Sequence, residues 1–425
     1  MKTGELLQLF LQHKIVTTDT RSIPNNALFF ALKGDKFNGN LFAKDALEKG
    51  AAYAIVDENV GDDPRLILVE NVLETLQDLA RAYRLSLNIP FIGLTGSNGK
   101  TTSKELIAAV LKEKFKVHFT FGNLNNHIGV PLTILSIPVQ TQIAVIEMGA
   151  NHQKEIELLA SISQPDFGYI TNFGFAHLEG FGGFDGVVKG KSELYDFLRK
   201  NNRKVVINFD DELQVKQANG IQQITFSKSN QSDYQVKLLD SDNEFLKVGF
   251  NDLEVQSNLT GDYNWSNLAA AITFGKIFGL EAEQIKKGIE SYQPSNHRSQ
   301  IIKRENYSIL MDAYNANPSS MEVSLKNFSQ FAGKKYVILG DMFELGNESE
   351  KNHQKIADLA ISLGFDRILL IGKNFKSLDI HHSSIINFES REEVEHYLKN
   401  NLINADYLLI KGSHGMRLDL LESIL

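Results

Sequence analysis

No cysteine occurs among the 425 residues, which excludes disulfides, thiolate metal sites and a cysteine nucleophile together. The absence is compatible with a reducing compartment. Eight prolines and 31 glycines are too few for a collagen-like or broadly disordered chain. Positive charge is in deficit: 44 Lys and Arg against 52 Asp and Glu leave a net charge of −8. A general nucleic-acid binder needs a basic face and is not expected, although a local basic pocket fits. No run approaches the length of an apolar membrane span, so no integral membrane segment is expected. The first residues, MKTGELLQLFLQHKIV, carry one early lysine and an apolar stretch broken by Gln8 and Gln12. They predict a short amphipathic helix and not a signal peptide. A cytoplasmic, soluble protein is the default expectation. No HExxH occurs, so a zinc protease has no support.

What remains is an ordinary globular composition, 42% hydrophobic and 23% charged, at a length that suggests about three domains. A helical stretch from Val72 ends at Asn88-Ile89-Pro90, a candidate boundary because proline disfavours helix in the residue before it. From there apolar strand candidates alternate with helices: Phe91–Thr95, Ile143–Met148, Tyr169–Asn172 and Val205–Asn208. This is the pattern of a parallel sheet covered on both faces. Tyr234–Leu259 alternates like antiparallel strands, and Gln293-Pro294-Ser295-Asn296 reads as a second linker. Strand candidates resume at Ser308–Asp312, Tyr336–Gly340, Arg367–Ile371 and Tyr407–Lys411. Asp312, Asp341, Lys373 and Lys411 stand where these strands end, the edge at which open α/β sheets bind ligands.

One segment carries chemistry by itself. Thr95-Gly96-Ser97-Asn98-Gly99-Lys100-Thr101-Thr102 follows a strand and opens a helix. Glycines let backbone N–H groups approach phosphate oxygens, the helix N-terminus favours negative charge, the lysine balances phosphate charge, and the next hydroxyl can reach Mg²⁺. The strict GxxxxGK[ST] pattern fails because Leu94 stands where the first glycine belongs. Glu147 ends an apolar strand and is a candidate Mg²⁺ ligand, although as a lone feature it is more often a helix-cap acid. His177, taken alone, is usually a hydrogen-bonded structural residue and less often a ligand. Lys189 and Lys191 would ordinarily be solvated helix lysines. Asn264 and Asn267 alone are capping residues.

Taken together, the segments resemble the Mur ligase family, the ATP-dependent amide ligases of peptidoglycan synthesis. TGSNGKTT is similar to that family's phosphate loop and accounts for the failed strict pattern. GNLNNHIGVP, IEMGANHQKEI, TNFGFAHLEGFG, KGKSELY, GDYNWSNLAAA, DAYNANPSSM, LGDMFELG and KGSHGMR follow in order along nearly the whole chain. YNANP, LGDMxELG and GNLNN point to the branch that joins D-alanyl-D-alanine to UDP-N-acetylmuramoyl-tripeptide. The DNPR motif of the branch that adds the third residue is missing.

The resemblance implies an α/β, three-domain architecture: residues 1–86 holding the UDP-sugar, a central P-loop parallel-sheet ATPase domain at 87–294, and a Rossmann-like domain at 295–425 receiving the dipeptide. It implies ATP, two Mg²⁺ ions and a monomer in the cytoplasm. Thr95 to Thr102, Asn264, Asn267, Arg298 and Asp312 would bind nucleotide. Lys100, His177 and Lys191 would be catalytic. Thr101, Glu147, His177 and Lys191 would ligate metal, Lys191 as a carbamate. Thr20, Arg21 and Ser22 would lie near the uridine, and Asn125 and Asn126 along the sugar-peptide path. Phe37-Asn38-Gly39-Asn40, Tyr263 and Ser413-His414 depart from the family pattern. Another Mur-type amide ligase is the alternative, of the kind that adds the third residue or synthesises folylpolyglutamate. A guanine-nucleotide switch is disfavoured because Asn-Lys occurs nowhere, and an inert binding module by the intact Lys100, Glu147, His177 and Lys191 set.

Overall fold

The strand Phe91–Thr95 is buried at all five positions, which a chain achieves only inside a sheet covered on both faces. In the computed structural model, which describes residues 1–229, 231–239, 245–294 and 297–425, it lies third from one edge of seven strands. The order is Tyr234–Gln235, Gln222–Ser227, Lys204–Asn208, Phe167–Ile170, Phe91–Thr95, Ile143–Glu147 and Val117–Phe119. Every neighbouring pair is parallel. Tyr234–Gln235 was expected to open an antiparallel run, yet it extends this parallel sheet. Within that run it is Lys237–Leu239, Lys247–Phe250 and Leu253–Gln256 that pair antiparallel. Periodicity reports which face is buried and says nothing of the partner's direction.

The N-terminal sheet is a four-stranded parallel one, Val16–Thr17, Leu28–Phe30, Tyr53–Val56 and Leu66–Leu68, beside the expected amphipathic helix Thr3–His13. The helix Val72–Ser86 joins it to the centre: Leu76, Leu79 and Tyr83 share one apolar core with Phe10 and with Val130, Ile146 and Leu159. Arg84 reinforces the seam. Its guanidinium stacks on Phe91 at 3.8 Å, pairs with Asp166 at 2.8 Å and donates to the carbonyls of Ser163 and Gln164. A second core covers the other face of the central sheet, where Leu106 and Val110 meet Leu268, Phe274 and Ile285.

The C-terminal sheet has the order Gln300–Lys303, Ser308–Asp312, Tyr407–Lys411, Lys335–Gly340, Arg367–Ile371 and Ile385–Phe388. It is parallel except for the first edge strand. Its two faces carry separate cores. Among the described residues, no apolar core joins this sheet to the rest. The division expected between residues 294 and 295 touches Ser295 and Asn296, which lie outside the described residues.

The phosphate-loop helix Lys100–Lys112 is held from behind by the helix Ala282–Ser291. A Cβ on Gly288 would stand 2.6 Å from Val110 Cα and 3.1 Å from the Ala109 carbonyl oxygen. Alanine would gain about 1 kcal/mol in helix propensity. Both obstacles are backbone and cannot rotate away, so overpacking of about 1–3 kcal/mol decides the sign. Gly288→Ala is expected to lower the melting temperature, measured by calorimetry; an unchanged or raised value would show that the two helices can move apart freely.

Candidate active site

Two loop positions need glycine. Gly96 has φ +144° and Gly99 φ +79°, and a Cβ on Gly99 would stand 2.6 Å from Asn267 Oδ1. The loop is then pinned from the neighbouring strand end. Thr171 Oγ1 and Asn172 Nδ2 donate to the Asn98 carbonyl, at 2.6 and 2.9 Å, and the Asn98 N–H donates to Asn172 Oδ1 at 3.0 Å. Lys100 donates to the Gly96 and Ser97 carbonyls, at 2.8 and 3.2 Å. Burial pulls its ammonium down to about 8; Glu147 opposes that shift and Arg298 adds to it.

Glu147 is 1% exposed. Its Oε1 accepts from Asn125 Nδ2 at 2.8 Å and from Thr101 Oγ1 at 3.3 Å. Its Oε2 is buried without a hydrogen-bond partner, 3.7 Å from the fully buried ammonium of Lys104. A carboxylate oxygen left unsatisfied beside a hydroxyl is a fit for a hard cation. Among the described residues, however, no three His, Asp or Glu side chains converge as a metal cluster.

Lys191 and Lys189 separate cleanly. Lys189 is exposed, whereas Lys191 is 1% exposed. Its Nζ donates to the Ala150 carbonyl at 3.0 Å and lies 5.0 Å from the Phe181 ring centroid. Burial, then the charge of Lys100, holds the amine well below its ordinary range. The ordinary expectation of a solvated helix lysine fails here because the helix Phe184–Lys200 turns that face inward. His177 is half-buried and left-handed, at φ +54°. Burial, followed by Lys100, lowers its pKa, and Glu344 opposes the shift. Its Nδ1 is hydrogen-bonded to Glu344 from the C-terminal sheet.

Asn264 and Asn267 form a relay behind the loop. Ser103 Oγ donates to Asn267 Oδ1, Asn267 Nδ2 to Asn264 Oδ1, and Asn264 Nδ2 to the Thr260 carbonyl. From the third unit, Asp312 accepts from the Ser299 N–H at 3.2 Å and pairs with Lys411. Arg298 lies over Tyr314 at 3.6 Å with its Nε buried and unpartnered. His414 also stacks on Tyr314, at 5.4 Å.

A cleft of about 920 Å³ gathers most of these groups: Ser97 to Thr102, Asn125, Asn126, Glu147, His177, Asn264, Asn267, Arg298, Asp312 and Lys411 line it, whereas Gly96 and Lys191 do not. Thr95 lies buried beneath the loop. Thr20, Arg21 and Ser22 do not line the cleft; Arg21 is exposed and paired with Asp19. At the Phe37–Asn40 departure, Asn40 is buried and bonds Asp57. Asp341 serves its own sheet, accepting from the N–H groups of Asn374 and Phe375. Residues not singled out before are Lys104, Glu155, Tyr314, Ser319 and Glu344. Glu344 stood in LGDMFELG, a segment that identified kinship without assigning its residues work.

With the ammonium of Lys100 inside a water-poor loop, its removal should cost far more in turnover than in fold. Lys100→Ala is expected to lower kcat by about 10²–10³-fold or more, as for other preorganised charges, with unchanged circular dichroism. Near-wild-type kcat in a folded variant would remove Lys100 from the chemistry.

Comparison with known proteins agrees with this arrangement. Residues 12–84 match the Mur ligase family catalytic domain, 94–275 the Mur ligase middle domain and 297–414 the Mur ligase glutamate ligase domain. The UDP-N-acetylmuramoyl-tripeptide–D-alanyl-D-alanine ligase of Bacillus subtilis (strain 168) is 37% identical, the match covering 96% of this chain and 93% of that protein. The Escherichia coli (strain K12) ligase of the same name is 32% identical over 98% and 94%. A crystal structure of MurF from Acinetobacter baumannii superposes with a TM-score of 0.89 at 29% identity, covering 97% and 93%. The Thermotoga maritima MurF ligase in complex with ADP gives 0.88 at 27%, covering 100% and 98%. Three consecutive matches, and relatives above 30% identity along nearly the whole length, lead to one conclusion: the chain belongs to the Mur ligase family.

Proposed function

We infer that the protein joins D-alanyl-D-alanine to UDP-N-acetylmuramoyl-tripeptide, converting ATP to ADP and phosphate. The observation that carries this reading is the single cleft in which the phosphate loop, Glu147, His177 and the C-terminal Arg298, Asp312 and Lys411 meet. The names of the full-length relatives supply the substrates. In this reading residues 1–86 take the UDP-sugar, 87–294 the ATP and 295–425 the dipeptide. The dependence on ATP puts the reaction in the cytoplasm, and no helix among the described residues is long and apolar enough to cross a membrane.

The tripeptide carboxylate attacks the γ-phosphorus, giving an acyl phosphate and ADP. The free amine of the dipeptide then attacks the acyl carbon, and inorganic phosphate leaves. Both reactants of the first step are anions, so the chain's task is to neutralise and align them. Lys100 would exchange two loop carbonyls for phosphate oxygens, which are stronger acceptors for a cation. Arg298, with its unpartnered buried Nε, would reach phosphate, and Asp312 the ribose. Thr101 and Glu147 would hold one Mg²⁺; His177 and a carbamate on Lys191 would hold the second. Bound Mg²⁺ supplies charge neutralisation at the transferring phosphoryl group.

The substrate assignment is tested by phosphate release with ATP, Mg²⁺ and UDP-N-acetylmuramoyl-tripeptide. D-Alanyl-D-alanine should support turnover, and single amino acids should not. Release driven by a single amino acid would move the protein to another branch of the family.

The carbamate rests on burial. A protonated lysine would repel Mg²⁺, whereas a neutral amine can add CO₂ and present two hard oxygens. The depressed pKa of Lys191 leaves more neutral amine at a given pH than an exposed lysine has. Lys191→Ala should lose most activity, and acetate or formate should restore part of it. Lys189→Ala should behave as wild type. Full activity of Lys191→Ala without added acid would exclude the carbamate.

A further inference from the structure

The loop after the strand Lys335–Gly340 is built with unusual care for a segment on the C-terminal sheet's rim. The Met342 N–H donates to His353 Nε2 at 2.9 Å, and the Phe343 N–H donates to Ser413 Oγ at 3.0 Å. His353 is fully buried, and its Nδ1 donates to the Ser349 carbonyl at 2.7 Å, so both its nitrogens are committed to holding backbone. Between these anchors and Gly346, Glu344 sits in the left-handed region at φ +63°. Backbone of that kind, held by its surroundings, marks a position with a task. The loop lies on the helix Leu178–Phe181: a Cβ on Gly346 would be 3.5 Å from Glu179. It thereby brings the Glu344 carboxylate to Nδ1 of His177, itself left-handed at the start of that helix.

A carboxylate only accepts, so the proton of this bond sits on Nδ1 and the imidazole's Nε2 is left as a lone pair. A ligating histidine is ordinarily oriented in this way, by an outer acceptor on its other nitrogen. Here the two partners belong to different units, with no apolar core joining them among the described residues. We propose that Glu344 is a positioning residue: the C-terminal unit delivers it to His177, where it fixes the tautomer and ring orientation that make Nε2 a metal ligand. The second metal position is then completed only when the third unit is docked, so docking and the capacity to transfer phosphate are one event. The inference rests on the reading of His177 as a ligand given above.

Two measurements test it, one without metal. In protein labelled with ¹⁵N-histidine, the His177 resonances, assigned by difference from His177→Gln, should show a protonated Nδ1 and a bare Nε2 in the wild type. Glu344→Ala should shift the population toward the Nε2-protonated form. Glu344→Gln, whose amide oxygen can still accept, should keep most of the wild-type pattern. Glu344 is more than half exposed, so both variants should fold. In Mn²⁺ titrations followed by electron paramagnetic resonance, with a non-hydrolysable ATP analogue present, the wild type should take up two ions. Glu344→Ala should weaken the second about 10–100-fold and leave the first unchanged; Glu344→Gln should fall between. Two ions held equally by wild type and Glu344→Ala, or a His177 tautomer indifferent to residue 344, would overturn the role of Glu344 alone. A wild type that binds one ion would overturn the two-metal reading and this inference with it.

Discussion

A phosphate loop has to present bare backbone, and bare backbone has to be held by something other than its own side chains. Gly99 meets that demand by lying against Asn267, at a distance that leaves no room for a methyl group. Asn267 is fixed in turn through Ser103 and Asn264, which ties the helix Trp265–Ile277 to the loop it backs. On the other side Thr171 and Asn172 grip Asn98 through its backbone. The Asn98 side chain is thereby free to face outward, where it bonds Asn317 and Ser319. The contact that shapes the loop thus also provides the landing point for the C-terminal unit.

The two interfaces of the molecule are made of different materials. The first unit and the central sheet share apolar surface, continuous from Phe10 and Tyr83 to Ile146. Separating them would expose it at about 25 cal/mol per Å². The C-terminal unit is held by hydrogen bonds such as Asn98 to Asn317, Tyr263 to Ser299 and His177 to Glu344. A neutral one is worth about 0.5–1.5 kcal/mol net, because water replaces it on opening. Such an interface can open and re-form at modest cost, as a site that must admit three substrates and then exclude water requires.

Much of this was readable from the residues. The strand, glycine loop and helix at Phe91–Lys112 show local pattern and chemistry together, and runs such as Ser308–Asp312 are apolar enough to announce buried strands. What was not readable depends on long-range packing. Lys189 and Lys191 are two residues apart on one helix, and only the fold decides that one is solvated and the other sealed. Tyr234–Gln235 joins a parallel sheet because Gln222–Ser227 is there to receive it. The edge strands Val117–Phe119 and Ile385–Phe388 are short and only partly buried, and carry little pattern. Glu344 is an exposed acid by any local criterion, and its partner lies 167 residues away in sequence.

The Arg84 joint fixes how the first unit meets the central sheet. Its guanidinium serves a carboxylate, several carbonyls and an aromatic face at once, a set of demands that a lysine's single ammonium could not meet. Together with the shared core it ties the first unit to the sheet that carries the phosphate loop. If the first unit anchors the nucleotide-sugar end of the substrate, the span from that anchor to the γ-phosphate is a constant of the fold. On that condition the molecule would work as a gauge: a peptide one residue too short would leave its carboxylate out of reach, and one too long would overshoot. Chain length would be checked by geometry before any side chain is inspected.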